Sequence, residues 1–112
     1  MRVYNRTDFM KLPEGILYSS GKKWYFNDLY VKGETIGNDF IERYLFWPDA
    51  DNEDDATNKL EDSLTMGSSF KMHQAYGRNG CFDDEDLFLV FEKEDLEELE
   101  QMIAKAKEAI NV

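Results

Sequence analysis

Five apolar residues near the C-terminus, Leu96, Leu99, Ile103, Ala106 and Ile110, recur at spacings of 3, 4, 3 and 4. At 3.6 residues per turn that spacing draws one stripe along one face of a helix. The stripe constrains the rest of the chain, because an apolar face has to be covered by another element. The surrounding charges agree with a helix. Glu94, Asp95, Glu97 and Glu98 crowd its first turns and Lys105 and Lys107 lie near its end, the polarity that the helix macrodipole favours. The stripe runs for about two heptads, short of the three or four that define a coiled coil. The expectation is an amphipathic helix packed on the chain's own sheet, with a dimer seam as the alternative use.

The sheet itself is legible upstream. From Phe40 to Trp47 the side chains alternate: Phe40, Glu42, Tyr44 and Phe46 point one way, and Ile41, Arg43, Leu45 and Trp47 the other. Ile16–Ser20 reads as a strand, Gly21-Lys22 as a turn, and Lys23 to about Lys32 as the next strand. Leu87–Phe91 is a continuous apolar run and reads as a central strand. Thr7 is a candidate N-cap for a short turn through Leu12, stopped by Pro13-Glu14-Gly15. Between Asp55 and Gly67 a short helix is expected, with Ala56, Leu60 and Leu64 on one face and Gly67 at its C-cap. The stretch from Ser68 to Gly80 has no clear period, and Asn79-Gly80 reads as a turn. The expected fold is α+β: a small antiparallel sheet of four to five strands packed against a short helix and the C-terminal amphipathic helix, in a single domain over residues 1–112.

The chain has 112 residues, enough for one core without disulfides. Eight Phe, six Tyr and two Trp supply large buried areas from few positions. A lone cysteine, Cys81, forms no intramolecular disulfide and fits a reducing, cytoplasmic setting. No signal peptide is expected at the N-terminus, and the longest apolar runs are far shorter than the ~20 residues needed to span a bilayer. The net charge of −11 is uneven. Residues 1–47 carry seven basic and six acidic groups, whereas residues 48–112 carry six and eighteen. Such a surface repels phosphate backbones and anionic lipid and suits basic partners.

Motifs for catalysis or cofactor binding are not expected. Asp49-Ala50-Asp51-Asn52-Glu53-Asp54-Asp55 invites a calcium loop, but an EF-hand needs Gly at position 6 and Glu at position 12. Counted from Asp49 those positions are Asp54 and Leu60; counted from Asp51 they are Ala56 and Asp62. Asp83-Asp84-Glu85-Asp86 are adjacent carboxylates, which in a strand alternate between faces and do not converge on a metal. Cys81 with His73 and Asp83 or Asp84 makes a nucleophile, base and orienting acid on paper, with no spacing that demands it. Gly77-Arg78-Asn79-Gly80 is too short for a dinucleotide fingerprint.

Arg2-Val3-Tyr4-Asn5-Arg6-Thr7-Asp8-Phe9-Met10-Lys11-Leu12-Pro13-Glu14-Gly15 and Gly77-Arg78-Asn79-Gly80-Cys81-Phe82-Asp83-Asp84-Glu85-Asp86-Leu87-Phe88 resemble stretches of small uncharacterised acidic proteins encoded by phages and prophages. Together they cover about a quarter of the chain and carry no motif of known chemistry. The resemblance implies a bacterial host cytoplasm and a counter-defence role, such as inhibition of CRISPR–Cas or restriction systems.

The functional expectation is a non-catalytic acidic protein that inhibits a basic host protein. Its carboxylates would stand in for nucleic-acid phosphates: Asp49, Asp51 and Asp54 in the acidic loop, Asp83, Asp84, Glu85 and Asp86 in the second run, and Glu94, Glu97 and Glu98 on the last helix. Direct binding to nucleic acid or membrane is not expected, nor is a cofactor or metal, and the chain is a monomer or homodimer. The alternative is a small-ligand or nucleotide-signal binder, using an aromatic pocket near Trp24-Tyr25-Phe26 with Arg78 or Lys23 for phosphate.

Overall fold

The computed structural model describes residues 1–80 and 83–111, and their side chains apart from those of Leu45 and Phe46. The elements run β1 (Arg2–Asn5), α1 (Arg6–Phe9), β2 (Leu17–Lys22), β3 (Tyr25–Ile36), β4 (Asp39–Pro48), α2 (Glu53–Met66), β5 (Met72–Asn79), β6 (Leu87–Val90) and α3 (Lys93–Ile110). The strands form one six-stranded sheet in the order β1-β6-β2-β3-β4-β5, antiparallel at every pairing. The class is α+β. The sheet exceeds the expected four to five strands because β1 and β5 add an edge at each side.

Alternation decides which face of the sheet is covered. Along β6, Phe88 and Val90 are buried while Leu87 and Leu89 are half-buried; on β4, Phe40 and Glu42 are buried. These side chains share the inner face with Tyr18 of β2. The core cluster is Phe9, Tyr18, Phe40, Phe88 and Val90, and Phe9 is the piece that α1 inserts. It stacks on Phe88 with ring centroids 4.3 Å apart and meets Tyr18 edge-on at 4.7 Å. The cap that starts α1 is Asn5 rather than Thr7: the Asn5 side chain accepts the Asp8 N–H at 2.9 Å. Either residue type suits an N-cap, and Asn5 wins because β1 ends there.

Irregular strand pairing bends the sheet. Register shifts fall between Tyr18 and Ser20, between Lys32 and Thr35, and between Tyr44 and Trp47, and bulges of this kind increase local twist. At the second, Gly33 passes so close to Ile41 that an added Cβ would lie 2.9 Å from the Ile41 Cβ. Only glycine allows that approach. The curl carries the two edges of the sheet toward each other. Arg6, which directly follows β1, donates to Asn79 Oδ1 at 2.6 Å and to the Asn79 carbonyl at 2.7 Å, at the far end of β5. Asn79 is therefore a strand residue in register with Phe40 and not part of a two-residue turn.

The expected packing of α2 and α3 on the sheet is corrected by the structure. Ala56 is the buried residue of α2, while Leu64 is 87% exposed. No residue of α3 is buried; Ile103 is 61% and Ile110 87% exposed. The inner face is already filled by α1 and the aromatic cluster, so neither helix is needed to close it. With both standing out, the Cα radius of gyration is 16.5 Å, against about 13 Å for a compact chain of this length. No helix is long and apolar enough to cross a membrane. The facing expected of Leu45 and Phe46 lies outside the described side chains, and Cys81 outside the described residues.

Candidate functional site

The carboxylates proposed from sequence occupy three separate places. The turn at Asp83–Asp86 precedes β6. It is held from within: Asp83 Oδ1 accepts the Glu85 N–H at 2.9 Å, and Asp86 Oδ2 accepts the Asp83 N–H at 3.1 Å. Lys22 Nζ lies 2.7 Å from Asp83 Oδ2. Asp83 and Asp86 thus serve the turn, and Asp84 and Glu85 are left pointing outward. Asp84 borders two open clefts, one with Asn5, Arg6, Thr7, Met10 and Asn38, of about 500 Å³, and one with Lys22, Lys23, Glu85 and Leu87, of about 410 Å³.

The acidic loop after β4 is largely the start of α2. Asn52 caps that helix by accepting the Asp55 N–H at 2.8 Å, and Gly67 closes it in the left-handed region at φ 73°. Asp55 accepts the Asp51 N–H at 3.0 Å and pairs with Lys59 at 3.3 Å. The side chains of Asp49, Asp51 and Asp54 remain exposed. Glu53, Asp54 and Asp55 fall in the first turn of α2, where negative charge meets the positive end of the helix dipole.

On α3 a capping box joins Glu92 and Asp95. The Met1 ammonium reaches the same two residues, at 3.2 and 2.8 Å. Glu94, Glu97 and Glu98 are exposed, and none of them has an ion-pair partner among the described residues. The strand β6 separates this helix from the Asp83–Asp86 turn, one at each end of it. The acidic loop follows the end of β4, three strands away from β6 in the order β6-β2-β3-β4. The three runs occupy separate places, and α3 presents three carboxylates within about one turn that the fold does not use.

The residues of the ligand-pocket alternative are spread out. Trp24 and Tyr25 project from the β2–β3 turn, each 74% exposed, and neither lines the two clefts described. Arg78 is committed to Asp39: its Nε donates to Oδ2, and its Nη2 donates to Oδ1 at 3.1 Å. His73 lies exposed on β5 in register with Trp47. Among the described residues no group of three or more His, Cys, Asp or Glu is placed to hold a metal ion.

Sequence reasoning missed a buried polar chain behind the core. Tyr18 donates to Glu42 Oε2 at 2.9 Å, Asn79 Nδ2 to the same oxygen at 3.3 Å, and Tyr44 to Oε1 at 3.4 Å. Arg6 then ties Asn79 to the Asn38 carbonyl. Lys32, 2% exposed, sits in register with Glu42 and donates to Thr35 Oγ1 at 2.8 Å. Burial holds the Lys32 ammonium below the usual lysine range. The only sequence signal was Glu42 on the same strand face as Phe40 and Tyr44. Tyr18, Glu42 and Lys32 are buried in this network, Tyr44 and Asn79 are half-buried, and Arg6 carries it to the open cleft beside Asp84.

The exposed pairs set the acid limb of stability. Hydrogen bonds from Arg78 to Asp39 and from Lys22 to Asp83, and from the Asp51 N–H and then Lys59 to Asp55, hold these carboxyls below the usual range. A carboxyl depressed in the folded state contributes stability above its unfolded value near 4, and loses it as pH falls through the folded value. The thermal midpoint should be level from pH 8 to about 5 and fall toward about pH 3. In an Asp39→Asn/Asp83→Asn variant the acid fall should be shallower. A wild-type midpoint that rises between pH 5 and 3 would contradict these assignments.

No protein-family model, curated protein or solved structure matches the chain.

Proposed function

We propose that this chain is a non-catalytic binding protein whose acidic helix α3 occupies a basic surface on a nucleic-acid-handling protein. In the setting implied by its resemblance to phage proteins, that partner is a host defence effector, of which CRISPR–Cas is one class, and binding inhibits it. The observation that carries the reading is α3 itself: a helix standing clear of the sheet with Glu94, Glu97 and Glu98 exposed and unneutralised. Helical rise sets Glu94 about one turn, ~5 Å, from Glu97 and Glu98, a dense negative charge of the kind a phosphate-binding surface attracts. The partner's Lys and Arg would release counterions to such a ridge as they do to nucleic acid. Asp49, Asp51, Asp54 and the Asp83–Asp86 turn supply long-range attraction rather than contact, because they lie elsewhere on the molecule.

The test is recovery of partners from a bacterial lysate at low salt, followed by titration of the recovered protein with the purified chain. Binding should weaken steeply with salt and be displaced by duplex DNA. Changing Glu94, Glu97 and Glu98 together to Gln should weaken it about threefold to a hundredfold, each exposed pair contributing ~0.2–1 kcal/mol. Binding that survives about 0.5 M salt, where the screening length is only a few ångströms, would refute the proposal. So would binding indifferent to the triple substitution.

A further inference from the structure

We infer that the apolar stripe of α3 is the seam of an antiparallel homodimer, the second copy's α3 lying across it. Among the described residues nothing covers the C-terminal half of the stripe. Met102, Ile103 and Ile110 are exposed, and Leu96 and Leu99 are only partly covered where the helix leaves the sheet. As a heptad, Leu96, Ile103 and Ile110 are a positions, Leu99 and Ala106 are d positions, and Lys93, Glu100 and Lys107 are e positions.

Charge chooses the occupant and its direction. From Lys93 to Gln101 the helix has five acidic groups and one basic; from Met102 to Ile110 it has two basic and one acidic. A parallel pair would set the two acidic halves side by side. An antiparallel pair holds the two acidic halves apart, at opposite ends of the seam, and brings the Glu100 of each copy toward the basic half of the other.

Charge also chooses the register. Antiparallel seams alternate a against d, and their e positions face each other. If Leu99 opposed Ile103 of the second copy, Glu100 would face Glu100. If Leu99 opposes Ile110 of the second copy and Ile103 opposes Ala106, each Glu100 faces Lys107. Only the second register turns the e flank into ion pairs, two of them by symmetry, while Met102 and Ala109 line the other flank, and it leaves Leu96 to its own domain, where it is already partly covered. Glu94, Glu97 and Glu98 occupy the opposite face and stay free in the dimer. The inference therefore stands independently of the proposed partner.

The seam is short, at the small end of stable interfaces, so the expected dissociation constant is roughly micromolar. Sedimentation of the purified full chain should show dimer at about 100 µM and growing dissociation on dilution. Ile103→Glu should give a monomer that melts like the wild-type chain diluted below its dissociation constant, because Ile103 supports no core packing. Lys107→Glu should weaken the dimer at least about tenfold, and adding Glu100→Lys to the same chain should restore it, by the usual worth of paired against like charges. Leu64→Glu on α2 should leave it intact. A chain that stays monomeric at about 100 µM would overturn the dimer and assign the stripe to another protein. Failure of the charge swap to restore association would overturn the register, and dissociation by Leu64→Glu would move the seam to α2.

Discussion

Phe9→Ala should destabilise the protein by about 3–5 kcal/mol, the usual loss when a fully buried aromatic is truncated. Phe9 has no exposed surface and is the buried residue of α1. Its ring touches three others at once, stacked on Phe88 at 4.3 Å and edge-on to Tyr18 at 4.7 Å and Phe40 at 5.3 Å. A helix of four residues cannot hold itself together, so α1 stays in place because Phe9 is seated. The aromatic cluster in turn lacks a lid without α1, since α2 and α3 bury almost nothing. Against a typical total of ~5–15 kcal/mol, the variant should be largely unfolded at modest urea. Phe9→Leu, which keeps most of the volume, should cost well under half as much. Leu64→Ala on α2 should change stability by less than about 0.5 kcal/mol. Urea midpoints of the three variants check the set, and a Phe9→Ala loss below about 1.5 kcal/mol would mean that α1 is not the lid.

What the sequence made legible follows from what local pattern can carry. Period-2 alternation exposed β4, and a continuous apolar run exposed β6, because side-chain direction in a strand is fixed by its neighbours. The end of α2 was legible at Gly67, whose freedom at positive φ is a local signal, whereas its start at Asn52 was hidden in an acidic run that reads as loop. By contrast β5 alternates polar residues on both faces; its less exposed positions are Ala75, Gly77 and Asn79, and an edge strand with so little to bury leaves no hydrophobic period. The central role of Phe9 was equally hidden, because a single aromatic in a one-turn helix has no period at all. For α3 the stripe was read correctly and its cover was not. A pattern shows that a face is apolar, and only the tertiary structure shows whether the chain covers it. The acidic runs divide the same way. The Asp55–Lys59 pair is four residues apart on one helix and visible in sequence, whereas the Lys22–Asp83 pair joins β2 to a distant turn. Only the folded arrangement shows which carboxylates are already spent.

The Glu42 network yields the second large effect, and its pH dependence gives an independent reading. Tyr18 is fully buried and donates to Glu42 at 2.9 Å. Burial first, and then the neighbouring Glu42 charge, push its phenol far above the ordinary tyrosine range; Tyr30 is pushed up to about 12, again mainly by burial. A phenol whose folded value is raised lends stability that is complete below its unfolded value near 10 and is lost as pH rises beyond it. The protein should therefore unfold cooperatively above about pH 10, with tyrosinate absorbance and loss of folded circular dichroism rising together. Tyr18→Phe removes the best donor to a buried carboxylate, leaving Asn79 at 3.3 Å and Tyr44 at 3.4 Å. It should cost about 1.5–3 kcal/mol at pH 7, the range for a hydrogen bond to a charged group. Glu42→Leu alone should cost a similar amount, since it leaves the Tyr18 hydroxyl and the Asn79 amide without their acceptor. The double variant Tyr18→Phe/Glu42→Leu should be less destabilised than the two single losses added together, because it removes both buried partners. Its alkaline unfolding should also begin at higher pH than in the wild type. Strict additivity of the two substitutions would show that Tyr18 and Glu42 act separately. Smooth titration of every tyrosine near pH 10 in a folded protein would show that the Tyr18 phenol is not held in the core.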